Sequence, residues 1–474
     1  MPTHDRSELL DAIEQRLHDL ERRRRRLELG QLVSGADDGE ADAALDAEEA
    51  IILGEPGYAG LMVAEDDGSD RRLSLHRRRW PVGLVQTDAD VSRLTRELDA
   101  RISAFEPWAG DQPVSRARVA ELLRTEPDRS QREAAWFASL PLAASLETDL
   151  QRLMSQRNHR ARALGFDDYP EMALPMDESS KLTFLTLGDE IEPLTRPTFE
   201  EMLAWMRGQN GGATLEPWDI DYYLARLEPP VESFSGDDTE RRLMDLTGSL
   251  GLDPAELGIV RHDAGAGSAR TIVVSAPDDI HCFLTRRDGA PALQENLAAW
   301  GRALHAAHRP AAVTWTSGGF NEAMAWLMVE LGGRSAADAT WRSWCSVWAV
   351  RRTLASSLFE LLAYESPEAD LHGLWCEIHE HYLGFPRHPE RLWAVGEGYV
   401  SSPLSGANLL VGRLIGAQLA ETLVGKAGAD RTTSLRAIWE SDARETTEEL
   451  VLRLTGRIPD PDAWVRTLGV EIPG

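Results

Sequence analysis

Metal-assisted hydrolysis on a helix needs two histidines at i, i+4 with a glutamate beside them. That spacing puts both imidazoles on one face and a carboxylate base next to them. The twelve histidines of this chain stand at 4, 18, 76, 159, 262, 281, 305, 308, 372, 379, 381 and 388, and no two are four apart. Weaker constellations remain. His305 and His308 lie at i, i+3: either they chelate a metal with a carboxylate from a neighbouring helix, or they are a structural pair at a helix end. His372 and His379, with His381 nearby and Glu377 and Glu380 beside them, form either a surface metal patch or the polar decoration of an exposed helix. GAGSAR (265–270) does not sit between a strand and a helix in the manner of a phosphate-binding loop and reads as a plain loop. Ser317-Gly318-Gly319 lacks the Gly-x-Ser-x-Gly spacing of a nucleophile elbow. The three cysteines, Cys282, Cys345 and Cys376, are too far apart for a disulfide framework or a zinc knuckle.

The elements that must position such residues are built from 474 residues, 42% of them hydrophobic and 27% charged, enough for a sizeable core and too apolar for wholesale disorder. Fifty basic against 78 acidic side chains leave a formal charge of −28, which repels phosphate backbones and anionic lipid, so nucleic acid and membrane are not expected as partners. The first 30 residues contain no apolar leader segment, and no stretch approaches a membrane span. A cytoplasmic protein is expected.

Helical spacing of Leu9, Leu10, Ile13, Leu17, Leu20 and Leu27 predicts a helix over 6–29, with Arg22 to Arg26 a solvated run near its end. The small acidic stretch 34–50 reads as a mobile loop or a weak helix. From about Arg129 the pattern is regular, predicting helices near 131–164, 186–208, 237–251, 291–308, 319–332, 335–365, 366–384, 403–425 and 442–455. Thr271–Arg287 carries a strand signal, two β-rich runs around Ala276-Pro277-Asp278-Asp279, and reads as a hairpin. The expected architecture is all-α with one small β-hairpin at 271–287, divided into an N-terminal helical region (1–129) and a main helical domain (130–474). Trp341, Trp344 and Trp348 repeat at i, i+3, i+7 and read as a core stripe or as an aromatic wall on a cavity.

Five segments in order carry a resemblance. They are RNHRARALGFDDYPEMAL (157–174), EPWDIDYYLARL (216–227), the hairpin and helix over 268–308, SGGFNEAMAWLM (317–328) and SSPLSGANLLVGRLIGAQLAETL (401–423). Together, over roughly residues 130–455, they resemble the thimet-oligopeptidase and oligoendopeptidase group of zinc metallopeptidases, related in fold to angiotensin-converting-enzyme-type peptidases. The resemblance implies a helical ellipsoid split by a deep central channel with a metal site at its floor. It makes 291–308 the remnant of the zinc helix and 319–332 the helix of the third ligand.

The family motif H-E-x-G-H-A-L-H falls on Ala298 to His305 and is degenerate. Ala298 and Arg302 stand where the histidine ligands belong, and Ala299 where the base belongs. Glu322 survives at the third-ligand position. Gly398 replaces a substrate-contacting histidine, and Leu404 to Leu409 contains none of the family's tyrosines. The expectation is therefore a metallopeptidase-fold pseudo-enzyme without zinc or other cofactor. It would use the channel to bind a peptide, an amino-acid-like or small carboxylate-bearing molecule, or a partner protein, through Arg302, Glu322, His305 and Asn321. Two alternatives stand beside it. One is a metal-free enzyme repurposed on the same scaffold, in which Arg302, Glu322 and His305 are the catalytic candidates. The other is an active zinc oligopeptidase in which His305, His308 and Glu322 converge. Arg302 is expected to pair with Glu322 or to face a ligand anion; if the two form a direct ion pair, Arg302→Ala should destabilise the fold by on the order of 3–5 kcal/mol.

Overall fold

The computed structural model describes residues 3–35, 39–64, 70–109, 112–230, 234–253, 255–310, 315–333, 339–396, 398–440 and 445–469. Parts of three expected elements (36–38, 335–338 and 442–444) lie outside them. The all-α expectation is borne out: helices succeed one another from Thr3–Ser34 to Asp462–Thr467. The strands described are a three-stranded sheet and a two-residue ladder at 108–109 and 112–113.

At the N-terminus, helix Thr3–Ser34 packs with Gly39–Leu53, Pro56–Val63 and the start of Arg71–Gln86 around Leu10, Ile13, Leu17, Leu20, Leu45, Ile52, Tyr58 and Leu73. The stretch expected to be a mobile loop or weak helix is an ordered helix from Gly39 onward. Of its large apolar side chains, Leu45, Ile52 and Leu53 are buried, and Ile51 is exposed. Arg24 of the first helix also donates to Asp46 and Glu49, each at 3.1 Å.

Two larger cores follow. The first gathers buried side chains from 82–104, 142–224, 344–404 and 463–468. The second gathers helix 236–249, the sheet, and helices 290–308, 318–333, 428–439 and 447–455. Helix Ser405–Glu421 belongs to both, since Leu410, Leu414 and Ala417 point into the first core and Ile415, Leu419 and Ala420 into the second. The tryptophan stripe is core: Trp344 and Trp348 join the first cluster and Trp341 the second.

The hairpin forms from Arg270–Ser275 and Asp279–Leu284. A third strand, Ile259–Asp263, pairs in parallel with Asp279–Leu284 and gives that strand neighbours on both sides. Sequence periodicity misses it because IVRHD is mostly exposed and carries no alternating apolar face.

Candidate functional site

Helix Ala290–His308 enters from Gly289, whose φ of +101° suits glycine, and carries Pro291 in its first turn. Its register against the sheet is fixed by side chains. Asn296 donates to the Thr285 carbonyl at 3.0 Å and accepts from the Thr285 amide at 2.9 Å, and the Thr271 hydroxyl donates to the Ala299 carbonyl at 2.6 Å. Trp300 is buried and donates to the Thr247 hydroxyl at 2.8 Å. The positions around 298–302 are thus held at several points along one turn and a half.

Helix Gly318–Gly333 lies against it. Ser317 caps its start, accepting from the Phe320 amide at 3.2 Å. Asp177 accepts from the Gly318 amide at 2.7 Å and from Asn408 at 2.6 Å, tying this helix start to helix 405–421. Glycines set the spacing between helices. A Cβ on Gly301 would collide with the Met324 carbonyl, and one on Gly412 would collide with the Cβ and backbone of Glu322. Glu322 therefore sits on a helix pressed from two sides, with little room for its backbone to shift.

On these two helices Arg302 and Glu322 meet side-on. Arg302 donates from Nε to Glu322 Oε1 at 3.1 Å and from Nη2 to Oε2 at 2.6 Å. Both carboxylate oxygens are engaged, in the forked geometry to which a guanidinium is suited. The other amino group, Nη1, has no protein acceptor among the described residues. The pair is partly buried, with Arg302 26% and Glu322 16% exposed at the side chain.

His305, one turn further on, is buried, edge-on to Phe320 with ring centroids 5.7 Å apart, and hydrogen-bonded to Asn321. Burial, reinforced by the charge of Arg309, pushes its pKa down to about 3. His308 bonds its own helix through Nδ1 and the Leu304 carbonyl at 2.8 Å and packs on Trp439. Burial lowers its pKa as well. Both rings are therefore neutral and occupied.

The structure brings Arg302, Glu322, His305 and Asn321 together, with Ala298 half-buried on the same helix face and Ala299 fully buried in the core. Gly398 lies elsewhere, beside the start of helix 405–421. Its φ is +90°, and a Cβ would stand 3.1 Å from Ser405 Oγ and 3.2 Å from the Ser402 carbonyl. A histidine is sterically disfavoured at that position as the backbone stands. The His372 cluster is also spent locally: His379 stacks on Trp375 at 4.0 Å and bonds its carbonyl, while His372 contacts Cys376. Sequence reasoning missed Asp177 and Thr271. No local pattern marks them, because each acts on a partner far along the chain.

The segments that carried the resemblance do framework work. Arg157 is buried and donates to the Tyr364 hydroxyl at 3.0 Å and the Tyr399 carbonyl at 2.8 Å, while Asn158 bridges the Tyr364 carbonyl and the Tyr169 amide. Asp219 is fully buried, accepts from Arg132 at 2.7 Å and Arg129 at 2.9 Å, and caps its own helix through the Glu216 amide. The profile of peptidase family M3 matches residues 122–239, the stretch that supplies Arg157 and Asn158 of the first network and Arg129, Arg132 and Asp219 of the second. Mitochondrial intermediate peptidase of Neurospora crassa is 29% identical over 118 residues, which span 23% of this chain and 15% of that protein. Among solved structures, PZ peptidase A superimposes with a TM-score of 0.74 at 13% identity, over 98% of this chain and 92% of the other. Trypanosoma cruzi metallocarboxypeptidase 1 does so with a TM-score of 0.62 at 15% identity, over 97% and 98%. The chain has a zinc-metallopeptidase fold.

Zinc, which that fold implies, does not suit the residues present. A catalytic zinc takes three protein ligands, and of the three motif positions only Glu322 offers a donor. Both oxygens of that donor already accept from a permanent cation. Among the described residues there is no group of three or more histidine, cysteine or acidic side chains placed to hold a metal ion.

Proposed function

We propose that this metallopeptidase-fold protein has exchanged zinc for an arginine and no longer hydrolyses peptides. On this reading it works in the cytoplasm, using the space beside helices 290–308 and 318–333 to hold a peptide, an amino-acid-like or carboxylate-bearing molecule, or a partner protein. The observation that carries the reading is the two-pronged closure of Arg302 on Glu322, at 3.1 and 2.6 Å. A guanidinium supplies the positive charge that a buried carboxylate needs but offers no vacant coordination position and no activated water. The open Nη1 of Arg302 is the group available to a ligand carboxylate. Three free cysteines accord with a reducing compartment.

The rival reading with His305, His308 and Glu322 as a zinc set gains nothing from the geometry, since each is engaged with a different protein partner. A metal-free enzyme would need a nucleophile or base beside Arg302. Of the titratable neighbours there, Glu322 has both carboxylate oxygens held by Arg302, and the neutral, Asn321-bound His305 is held far from the pKa a general base needs.

Elemental analysis of the purified chain, paired with a quenched oligopeptide cleavage assay, tests the proposal. Sub-stoichiometric zinc and no chelator-sensitive cleavage are expected. One equivalent of tightly held zinc with cleavage abolished by chelator would overturn it. Peptide binding, measured by anisotropy with labelled peptides bearing free or amidated C-termini, should favour the free carboxylate and weaken on Arg302→Met.

A further inference from the structure

Helix 290–308 ends in a cation that has no anion. Arg309 follows its last turn, and its side chain is largely packed into protein. Nε is buried without an acceptor, and Nη1 reaches only the Thr316 hydroxyl, at a long 3.3 Å. No carboxylate pairs with it among the described residues. Two other buried guanidinium groups of this fold are paired with carboxylates. Arg132 lies on Asp219 at 2.7 Å and Arg351 on Glu192 at 3.0 Å. Arg157 and Arg413 have no ion pair among the described residues and carry an Nε without an acceptor, as Arg309 does. Their other groups are occupied, Arg157 by a hydroxyl and carbonyls and Arg413 by the Ser346 hydroxyl at 2.9 Å and the Trp326 ring at 3.9 Å.

The surroundings of Arg309 do not supply the missing charge. His305 and His308 are neutral, and each has its hydrogen bond elsewhere. Arg436, whose charge reaches His308, is exposed and makes no ion pair among the described residues. In a chain of net charge −28, Arg309 and Arg436 stand at this helix end without an ion pair among the described residues; the nearby negative groups are Glu440, whose charge acts on His308, and the helix's own last carbonyls. Burying a cation without a counter-charge is costly, and the ordinary remedies are pairing or a bound anion.

We propose that this helix end is an oxyanion site, in which Arg309 and the Thr316 hydroxyl hold a carboxylate or phosphate group of a small ligand. A guanidinium offers two parallel N–H donors to such a group. The Thr316 oxygen accepts from Arg309, so its own O–H remains free to donate to the same ligand. The proposal does not rest on the exchange of zinc at Arg302. Arg302 spends its fork on Glu322, whereas Arg309, two turns on, gives one N–H to the Thr316 hydroxyl and none to a carboxylate among the described residues.

The test uses the full chain with inorganic phosphate and with acetate, against sodium chloride at matched ionic strength, read as the melting temperature over a concentration series. Wild type should melt higher in a saturable way with at least one of the two anions. A lower midpoint for phosphate identifies a phosphate ligand, and a lower midpoint for acetate a carboxylate; either supports the site. Arg309→Met should abolish the shift and, without anion, melt no lower than wild type, because a stranded charge has been removed. Arg302→Ala should leave the shift in place, which separates this proposal from the preceding one. Should Arg309→Met fail to fold, Thr316→Val should raise the anion midpoint about tenfold, the equivalent of one charge-assisted hydrogen bond. A wild-type melt indifferent to both anions overturns the proposal, as does a shift that survives Arg309→Met. An unchanged midpoint in Thr316→Val when Arg309→Met does not fold overturns it equally.

Discussion

Removing Arg302 is the sharpest perturbation of the candidate site. Its partner Glu322 is trapped: Gly412 lies against its backbone with no space for a Cβ, so helix 318–333 cannot slide to bring the stranded carboxylate into water. A fully buried pair broken on one side costs about 3–5 kcal/mol, and an exposed one at most about 1 kcal/mol. With side chains 26% and 16% exposed, this pair lies between those limits, nearer the buried one for Glu322. Arg302→Ala should therefore cost about 2–3 kcal/mol, less than the value expected for full burial. Glu322→Ala should cost a similar amount. The double variant should cost about 1.5–2 kcal/mol less than the sum of the singles, because neither charge is then stranded. Urea titration followed by tryptophan fluorescence reads all four proteins. Buried Trp300, on the same helix as Arg302, makes the signal responsive to this region. Additivity within about 0.5 kcal/mol would mean that the pair is not energetically coupled. Arg302 would then not stand in for a metal's charge at Glu322.

Other expectations follow from the same geometry. Ala298→His with Arg302→His should create a zinc site with Glu322, measurable by titration with a zinc indicator; adding Ala299→Glu should lower the melting temperature, because Ala299 is fully buried and its carboxylate would have no partner. His305 has its pKa pushed from 6.5 to about 3 by burial, so the unfolded chain takes up a proton that the folded chain refuses. Stability from this group is intact above pH 6.5 and is lost as pH falls toward 3. His305→Gln should remove on the order of a few kcal/mol from the acid sensitivity between pH 6.5 and 4, and equal acid sensitivity in both proteins would exclude that cause. Gly412→Ala should destabilise by at least about 1–3 kcal/mol through overpacking against Glu322. Gly208→Ala, in a helix with open space around the position, should be neutral or stabilising by up to about 1 kcal/mol. Equal melting temperatures for these two glycine variants would contradict the close helix approach.

The parts of this molecule that were legible in its sequence are those whose periodicity is local. Helices 290–308 and 318–333 begin and end within a residue of where apolar spacing and the flanking Gly and Pro put them. That Arg302 could meet Glu322 comes from the resemblance, which makes both positions former metal ligands; the side-on geometry is the structure's. Parts that depend on distant partners were not legible. Helix 39–53 is too acidic and small to announce itself, and it exists because the first helix covers Leu45 and Ile52 and offers Arg24 to its acids. Strand 259–263 is defined by backbone pairing to 280–284 and not by its own side chains. The isolation of Arg309 is a property of what the fold fails to place near it, which no spacing rule encodes.

The M3 profile matches 122–239, where Arg157, Asn158 and Asp219 tie helix to helix through buried hydrogen bonds and ion pairs, and it stops short of the two helices that carry Arg302 and Glu322. The stretch that matches the family profile is thus rich in groups that fix architecture, and architecture alone does not determine chemistry. On the proposed reading the order of constraint is physical. Asp219 cannot change without stranding Arg129 and Arg132, and Arg157 cannot change without leaving two carbonyls and a buried hydroxyl short of a donor. At the site itself a different compensation was open. Glu322 needs one positive charge on the facing helix, and an arginine at 302 supplies it with no loose chain to order and no histidines to retain. Once that arginine is in place, a histidine at 298 has no metal to bind and a glutamate at 299 has no water to activate. Alanine, which packs and costs no side-chain entropy in a helix, is what the fold then favours at both.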